Sequence, residues 1–430
     1  MTIKTHSYLS AAALSLLVNP CLAGPQDSFG KNAPVDSAPI AETSPSKGGL
    51  GDFLKTGGTL YSNSDNPLIQ EFKIFGRLQY QLGILDGDDS LNDSVSYDTD
   101  EFRRTRFGAS MKFLKYFKVS AEIEDLIRDN EPRGGTRELD VSQLWHGHLT
   151  FDMRNALGLD NFDGLKIGYG RREVNVSEEW NVSSKRIRTV ERSAIANKIW
   201  PSDEAFSNPT GLWVEGENSA VAWELGVFST TTADWIAGWQ DGQLYYANAQ
   251  IDFSDRTGMD LSEWVLAGIY QDVNLDDDRL AGGIEWAASA GLRLGQGRWE
   301  LAVNGIVGDN GDQSNSDREG SFWGFVLSPS YWLIEDRLEA VAQYQYQGSE
   351  ADQGIRVNSR YIRRAQSTGD AFLINSGRGD EHHSFYAGLS YYIYGHNLKL
   401  MGGVQYDDIS SDGTHVYDGW TGFLGLRLYF

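Results

Sequence analysis

Apolar and polar residues alternate with a period of two along most of the chain from Glu71 to the C-terminal Phe430. In the first stretch Phe72, Ile74, Leu78, Tyr80 and Leu82 share one face, and Lys73, Arg77, Gln79 and Gln81 the other. Further along, Trp299, Leu301, Val303 and Val307 oppose Glu300 and Asn304, and Leu338, Ala340, Ala342, Tyr344 and Tyr346 oppose Glu339, Gln343 and Gln345. The last stretch sets Trp420, Leu424, Leu426, Leu428 and Phe430 against Thr421, Arg427 and Tyr429. Side chains of a strand point alternately to its two faces, so each stretch predicts a strand with one face in an apolar medium and one in water. Sixteen segments read this way: 70–84, 101–114, 116–128, 140–152, 163–173, 211–217, 219–230, 243–253, 262–273, 283–295, 297–308, 320–332, 336–348, 381–394, 397–408 and 419–430.

The connections alternate long and short. Long ones fall at 85–100, 129–139, 174–210, 231–242, 274–282, 309–319, 349–380 and 409–418. Short ones include Gly216-Glu217-Asn218, Gly295-Gln296-Gly297 and Gly395-His396, while 153–162 and 254–261 are of middling length. Short turns on one side and long loops on the other are what an outer-membrane barrel requires, and a β-sandwich has no reason to show them. The expectation is all-β: a 16-stranded antiparallel transmembrane β-barrel with long external loops and short periplasmic turns. An even strand count puts both ends of the barrel on the periplasmic side. The terminal Phe430 resembles the assembly signal of bacterial outer-membrane barrels.

Ahead of the barrel, residues 1–23 read as a secretory signal peptide: Lys4, the apolar run Leu9–Val18, and Cys21-Leu22-Ala23 before Gly24. Cleavage after Ala23 removes the single cysteine, and Pro20 is a poor fit to a lipoprotein signal. Residues 24–69 form a flexible leader whose turn-rich end, 50–69, has room for a short extra strand, and 70–430 forms the barrel. The 13 Trp and 20 Tyr sit in a chain whose mean hydropathy is only -0.41, which suits strands half in lipid and half in water. A net charge of -23 argues against nucleic acid as a partner.

If the apolar faces meet lipid, the opposite faces line a lumen. Its basic candidates are Lys73, Arg77, Arg104, Arg106, Lys112, Lys118, Lys166, Arg172, Arg293 and Arg427; its acidic ones are Glu71, Glu122, Glu124, Glu224, Glu285, Glu300 and Glu339. The longest connection, 174–210, adds a locally basic run with Lys185, Arg186, Arg188 and Arg192. Aspartates concentrate in the loops, at Asp86, Asp88, Asp89, Asp93, Asp98 and Asp100, at Asp276–Asp278, and at Asp407, Asp408, Asp412 and Asp418. The pattern is acid outside and base within. Confined cations between low-dielectric walls attract anions strongly. The plainer reading is that lumen arginines pair with lumen glutamates across the wall.

Four motifs in order make the pattern more specific: Gly76-Arg77-Leu78-Gln79, Phe102-Arg103-Arg104-Thr105-Arg106-Phe107-Gly108, Lys166-Ile167-Gly168-Tyr169-Gly170-Arg171, and Ser183-Ser184-Lys185 with Val190-Glu191-Arg192-Ser193. This order resembles the phosphate-selective porin O and P family over about 70–430. The departures are Arg172-Glu173-Val174 in place of a lysine before Pro-Phe, and Thr189-Val190 in place of Phe-Met. The resemblance implies a homotrimer of barrels whose third long loop folds inward. It implies small inorganic anions as cargo, phosphate or related polyanions, with no cofactor. Arg77, Arg104, Arg106, Lys185 and Arg192 are the anion-binding positions it carries over. Outer-membrane lipid and lipopolysaccharide are the remaining partners expected.

Rival classes are weaker. No HExxH, GxSxG or phosphate-loop glycine motif is present. His146 and His148 share a strand face and read as polar lining rather than a metal pair; His382 and His383 are adjacent and point to opposite faces. The loop 349–380, with Arg356, Arg360, Arg363, Arg364 and Arg378, suits a receptor or adhesin, or dips toward the pore mouth. A general diffusion porin, neutral or cation-preferring, is the alternative within channels.

Overall fold

The computed structural model describes residues 54, 58–124, 128–129, 137–138, 143–202, 208–232, 236–240, 242–273, 280–281, 283–313, 315–357 and 359–430. The segments expected to be signal peptide (1–23) and, for the most part, leader (24–69) lie outside these residues, as do Asp276–Asp278. Among the described residues one antiparallel sheet dominates, and sixteen of its strands close on themselves. They are β1 (Ile69–Asp88), β2 (Ser94–Phe113), β3 (Phe117–Glu124), β4 (Gln143–Asp152), β5 (Gly164–Arg171), β6 (Thr210–Asn218), β7 (Val221–Ser229) and β8 (Gly242–Asp252). The second half comprises β9 (Leu261–Val273), β10 (Trp286–Gln296), β11 (Trp299–Asp309), β12 (Ser321–Ile334), β13 (Leu338–Ser349), β14 (Glu381–Tyr392), β15 (Leu398–Ser411) and β16 (Thr414–Tyr429). Each strand pairs with its neighbours in sequence, and β16 returns to β1 from Arg77↔Tyr429 to Asp88↔Asp418. The extra strand expected before the barrel is Thr59–Ser62, which lies along the start of β1.

Closure follows from the medium. Lipid offers no partner to a backbone amide, so a spanning sheet must have no free edge. The outward positions are the apolar ones: Leu82, Ile84, Leu225, Leu266, Phe325, Leu389, Leu400, Val404 and Leu424 are all exposed. Aromatic rows border this belt. Tyr245, Tyr270 and Trp286 are in register on one rim, and Trp299 faces Tyr331 on the other. No helix among the described residues is long and apolar enough to cross a membrane. The crossing is made by strands.

Two of the expected long loops are not loops. β1 and β2 run on to a tight turn at 89–93, and β15 and β16 meet at Asp412-Gly413. The alternation continues through both segments with its polarity reversed. Leu82 and Ile84 face lipid, but Asp86 and Asp88 follow them on the same outward face. Inward, polar Gln79 and Gln81 give way to Leu85, which is fully buried with Val95, Tyr97, Ile409, Val416 and Tyr417. Above the membrane the outside is wet and the inside is packed, so aspartates stand where leucines stood below. The rim at which polarity flips is marked by Tyr406 and Trp420, their rings 5.1 Å apart. Asp407 consequently points inward, fully buried against His382, and is not part of an external acidic loop.

This reversal predicts unequal costs for one substitution made twice on the outward face. Leu424→Arg places a cation in the lipid belt and should lower barrel stability by about 2–4 kcal/mol. Asp408→Arg, on the same outward face of the neighbouring strand above the rim, should change stability little. Equilibrium urea unfolding of both variants in lipid vesicles measures the difference.

Candidate functional site at the pore constriction

The segment between β5 and β6 turns into the lumen. Two short helices order it: α1 (Glu178–Asn181), capped by Ser177, and α2 (Ala194–Lys198), capped by Ser193. Trp180 Nε1 donates to the Ala196 carbonyl at 2.9 Å, and the Arg192 guanidinium stacks 4.0 Å from the Trp180 ring. On one side Val174, Val176, Trp180, Ile195 and Ile199 pack onto inward apolar residues of β6 to β12, among them Trp213, Phe228, Ile269 and Phe322. From that wall the segment crosses to the other. Asn248 and Gln250 donate to Asn181 Oδ1, the Ala194 amide donates to Gln345 Oε1, Lys399 donates to the Ile187 carbonyl at 2.7 Å, and Arg77 donates to Ser184 Oγ at 2.6 Å.

A second segment enters from the opposite wall. Between β13 and β14 the chain forms α3 (Arg360–Thr368), capped by Ser359. Its Tyr361, Ile362 and Ala365 bury against the tall wall of β1, β2, β15 and β16. A Cβ at Gly83 would stand 2.3 Å from the Tyr361 ring, so only glycine leaves room for that ring. The two segments meet at Gln81. Its Nε2 lies 2.9 Å from Glu101 Oε1, 3.0 Å from Glu191 Oε1 and 2.9 Å from the Tyr361 hydroxyl, and its Oε1 accepts from Arg427 at 2.9 Å. Between them remains a narrow gap lined by Glu191, Arg192, Gln345, Arg360, Gln405 and Asp407 among others.

Arginines crowd this point. Arg360 chelates Glu101 at 3.0 and 2.8 Å, and Arg364 reaches the same carboxylate at 2.7 Å. Arg103 holds Glu191 through two contacts, at 2.7 and 3.2 Å. One step below, Arg104 donates to Gln79 at 2.8 Å. Arg103 reaches inward because β2 carries a β-bulge, with Tyr80 opposite Phe102 and Gln79 opposite Arg104. The bulge lets Glu101 and Arg104 both face the lumen, which simple alternation forbids. Burial disfavours the Glu191 carboxylate, but Arg103 and Arg104 outweigh it and hold the group well below the usual range.

Of the positions expected from sequence, Arg104 and Arg192 stand at the constriction. Arg77 and Lys185 lie just below it on the periplasmic side, with Lys185 5.5 Å from the Tyr429 ring. Several others are paired with carboxylates: Arg77 with Glu122 at 3.4 Å, Arg106 with Glu124 at 2.6 Å, Lys166 with Glu215 at 3.0 Å, and Arg172 with Glu224 at 2.8 Å. Arg188 bridges Glu300 and Glu339, and Arg293 bridges Glu178 and Glu263. Arg186 is half-buried beside Lys185; Lys112 and Lys118 face each other across β2 and β3 near the periplasmic turn, far from the constriction. His146 and His148 do share a lumen face, their rings 5.3 Å apart. The constriction residues that alternation alone does not find are Glu101 and Arg103, which the bulge hides; Lys399 follows the alternation of β15 and faces inward with Met401.

No family model matches the sequence, and no curated protein is found as its relative. Solved structures do resemble it. OmpF of Salmonella typhi superimposes with a TM-score of 0.52 at 14% identity over 86% of this chain and 100% of that one. OprB of Pseudomonas putida gives 0.51 at 15% identity over 84% and 94%, and the outer membrane channel DcaP of Acinetobacter baumannii gives 0.50 at 14% over 84% and 97%. The fold is the porin barrel. With its lipid-facing belt, that fold places the chain in the outer membrane of a Gram-negative bacterium.

Glu101 is the anchor of the inner segment 360–364. Glu101→Gln should leave two arginines without their counter-charge and loosen α3 by about 3–5 kcal/mol, the usual cost of removing one partner of a buried pair. Trypsin should then cleave at Arg360–Arg364 in the folded barrel of the variant and spare the wild type.

Proposed function

We propose that this protein is an outer-membrane channel for small inorganic anions, with phosphate and related polyanions in the permeating class. The observation that carries the reading is the charge balance at the constriction. Arg103, Arg104, Arg360, Arg364 and Arg427 outnumber the carboxylates there, Glu101, Glu191 and the His382-bound Asp407. Between low-dielectric walls such an excess focuses a positive potential on the gap between the two inner segments. Arg192, which donates to the Glu179 and Val182 carbonyls and stacks on Trp180, and Lys185, over the Tyr429 ring, add cations on either side. The motif resemblance to phosphate-selective porins points the same way and adds a trimeric assembly among outer-membrane lipid and lipopolysaccharide. A general diffusion porin is the second reading, favoured by the ion pairs of Arg77, Arg106, Lys166, Arg172, Arg188 and Arg293 along the wall.

Reversal potential across a KCl gradient in planar bilayers separates the two. A potential of the chloride-permeable sign, with current reduced by added phosphate, is expected, and Arg104→Ala should diminish both. A cation-preferring potential indifferent to phosphate sinks the anion reading. Arg106→Ala is the poorer probe, because it also breaks the ion pair with Glu124.

Lys185 supplies a pH test. Burial, and then the neighbouring Arg77, push its pKa down to about 8. It is charged below that pH and neutral above it, so anion preference should fall as pH rises through about 8. Lys185→Ala should show the lower preference at every pH and lose the step.

A further inference from the structure

Outside the constriction a second group of cations stands at the external end of the lumen. Ile355-Arg356 pairs with Arg378-Gly379 in a two-rung ladder, which sets Arg356 directly opposite Arg378. Like charges opposite one another across a ladder destabilise it. Neither side chain has a carboxylate partner among the described residues, and the Arg356 Nε contact is the Ser376 carbonyl at 3.2 Å. Arg318 approaches from the connection between β11 and β12, and Arg363 from α3. The Nε atoms of both are buried without a hydrogen-bond partner. Lys198, at the end of α2, closes the group, with its ammonium on Asn310 Oδ1 at 2.7 Å. Burial and mutual repulsion hold Arg363 down to about 9, Arg378 to about 10 and Lys198 to about 7.

Along the barrel wall Arg77, Arg106, Arg172, Arg188 and Arg293 each meet a glutamate. Here, in a chain with a net charge of -23, cations from three separate connections converge without an ion pair among the described residues. Packing does not account for that, since uncharged side chains of similar length would fill the space without repulsion. Guanidinium forks with free N–H groups are the usual receptors for carboxylate and phosphate oxygens. We propose that Arg318, Arg356, Arg363, Arg378 and Lys198 form an external binding site for an oxyanion carrying two or more charges, in series with the constriction. The proposal rests on the anion-channel reading and gives it a substrate class: multivalent oxyanions are concentrated at the mouth before they meet Arg360 and Arg103. A monovalent anion engages too few of these groups to be held.

The test uses the full-length protein in planar bilayers carrying a chloride current. Citrate and pyrophosphate, added to each side in turn, should block from one side only, and acetate should not block. Block by pyrophosphate alone assigns the site to phosphate groups, and block by citrate alone to polycarboxylates. Arg378→Glu is the decisive variant. It turns the repulsive rung opposite Arg356 into an attractive one, so the barrel should unfold no more easily than the wild type. It should nevertheless weaken block by about tenfold or more, the loss expected for one charge-assisted contact. Lys198→Gln should weaken it in the same direction. Absence of valence-dependent block, or block unchanged in Arg378→Glu, overturns the site. Reversal potential without added oxyanion reads the constriction separately: a chloride-permeable potential with no block rejects this site alone, and a cation-preferring one rejects the channel reading beneath it.

Discussion

Every backbone amide that passes through lipid must find its partner inside the protein, because an unsatisfied one costs several kcal/mol there. The β1–β16 ladder meets that demand by closing the sheet, and most other features descend from it. Sixteen strands make a tube too wide for wall side chains to fill. The space is taken up by chain, from residues 172–202 and 359–380, which turn inward from opposite sides and meet at Gln81. The closing strands also rise above the bilayer. Their inner faces become an apolar bed for α3 while their outer faces turn acidic.

Putting chain inside a pore raises the same hydrogen-bond demand in a different place. The inner segments are too irregular to satisfy their own carbonyls, so wall cations do it. Lys399 donates to Ile187, Arg427 to Val190, and Arg192 to Glu179 and Val182 within the segment itself. A carbonyl satisfies a donor without offsetting its charge, whereas a glutamate partner offsets it. The contacts that hold the inner segment therefore bring basic side chains to the constriction without a carboxylate for each, which is the charge excess that the anion-channel proposal draws on.

Much of the barrel was legible in the sequence because the period-two pattern is imposed by lipid on one face and water on the other. That explains why Gln79, Gln81, Arg104 and Arg427 were placed inward and Leu82 and Leu424 outward. Reading failed where the two media change places. Asp86, Asp98 and Asp408 looked like loop residues because they interrupt an apolar face, yet their strands continue unbroken. It also failed at the bulge in β2, where one extra residue brings Arg103 and Glu101 to the lumen. The inward path of 172–202 was suggested only by length and resemblance. The pairing of α3 with Glu101 joins residues 259 positions apart, a distance over which no local pattern carries information.

The acidity of the whole chain does not conflict with a cation-lined passage. Charges on opposite faces of a barrel wall are separated by low-dielectric protein, and those beyond about 10 Å in salt solution are largely screened from one another. An ion in the gap responds to Arg103, Arg104 and Arg360, within reach and poorly screened, far more than to Asp88 or Asp408 on the outer surface above the membrane. Net charge describes how such a barrel sits among its neighbours. In the anion-channel proposal it is this local charge, and not the sum over the chain, that bears on an ion in the gap.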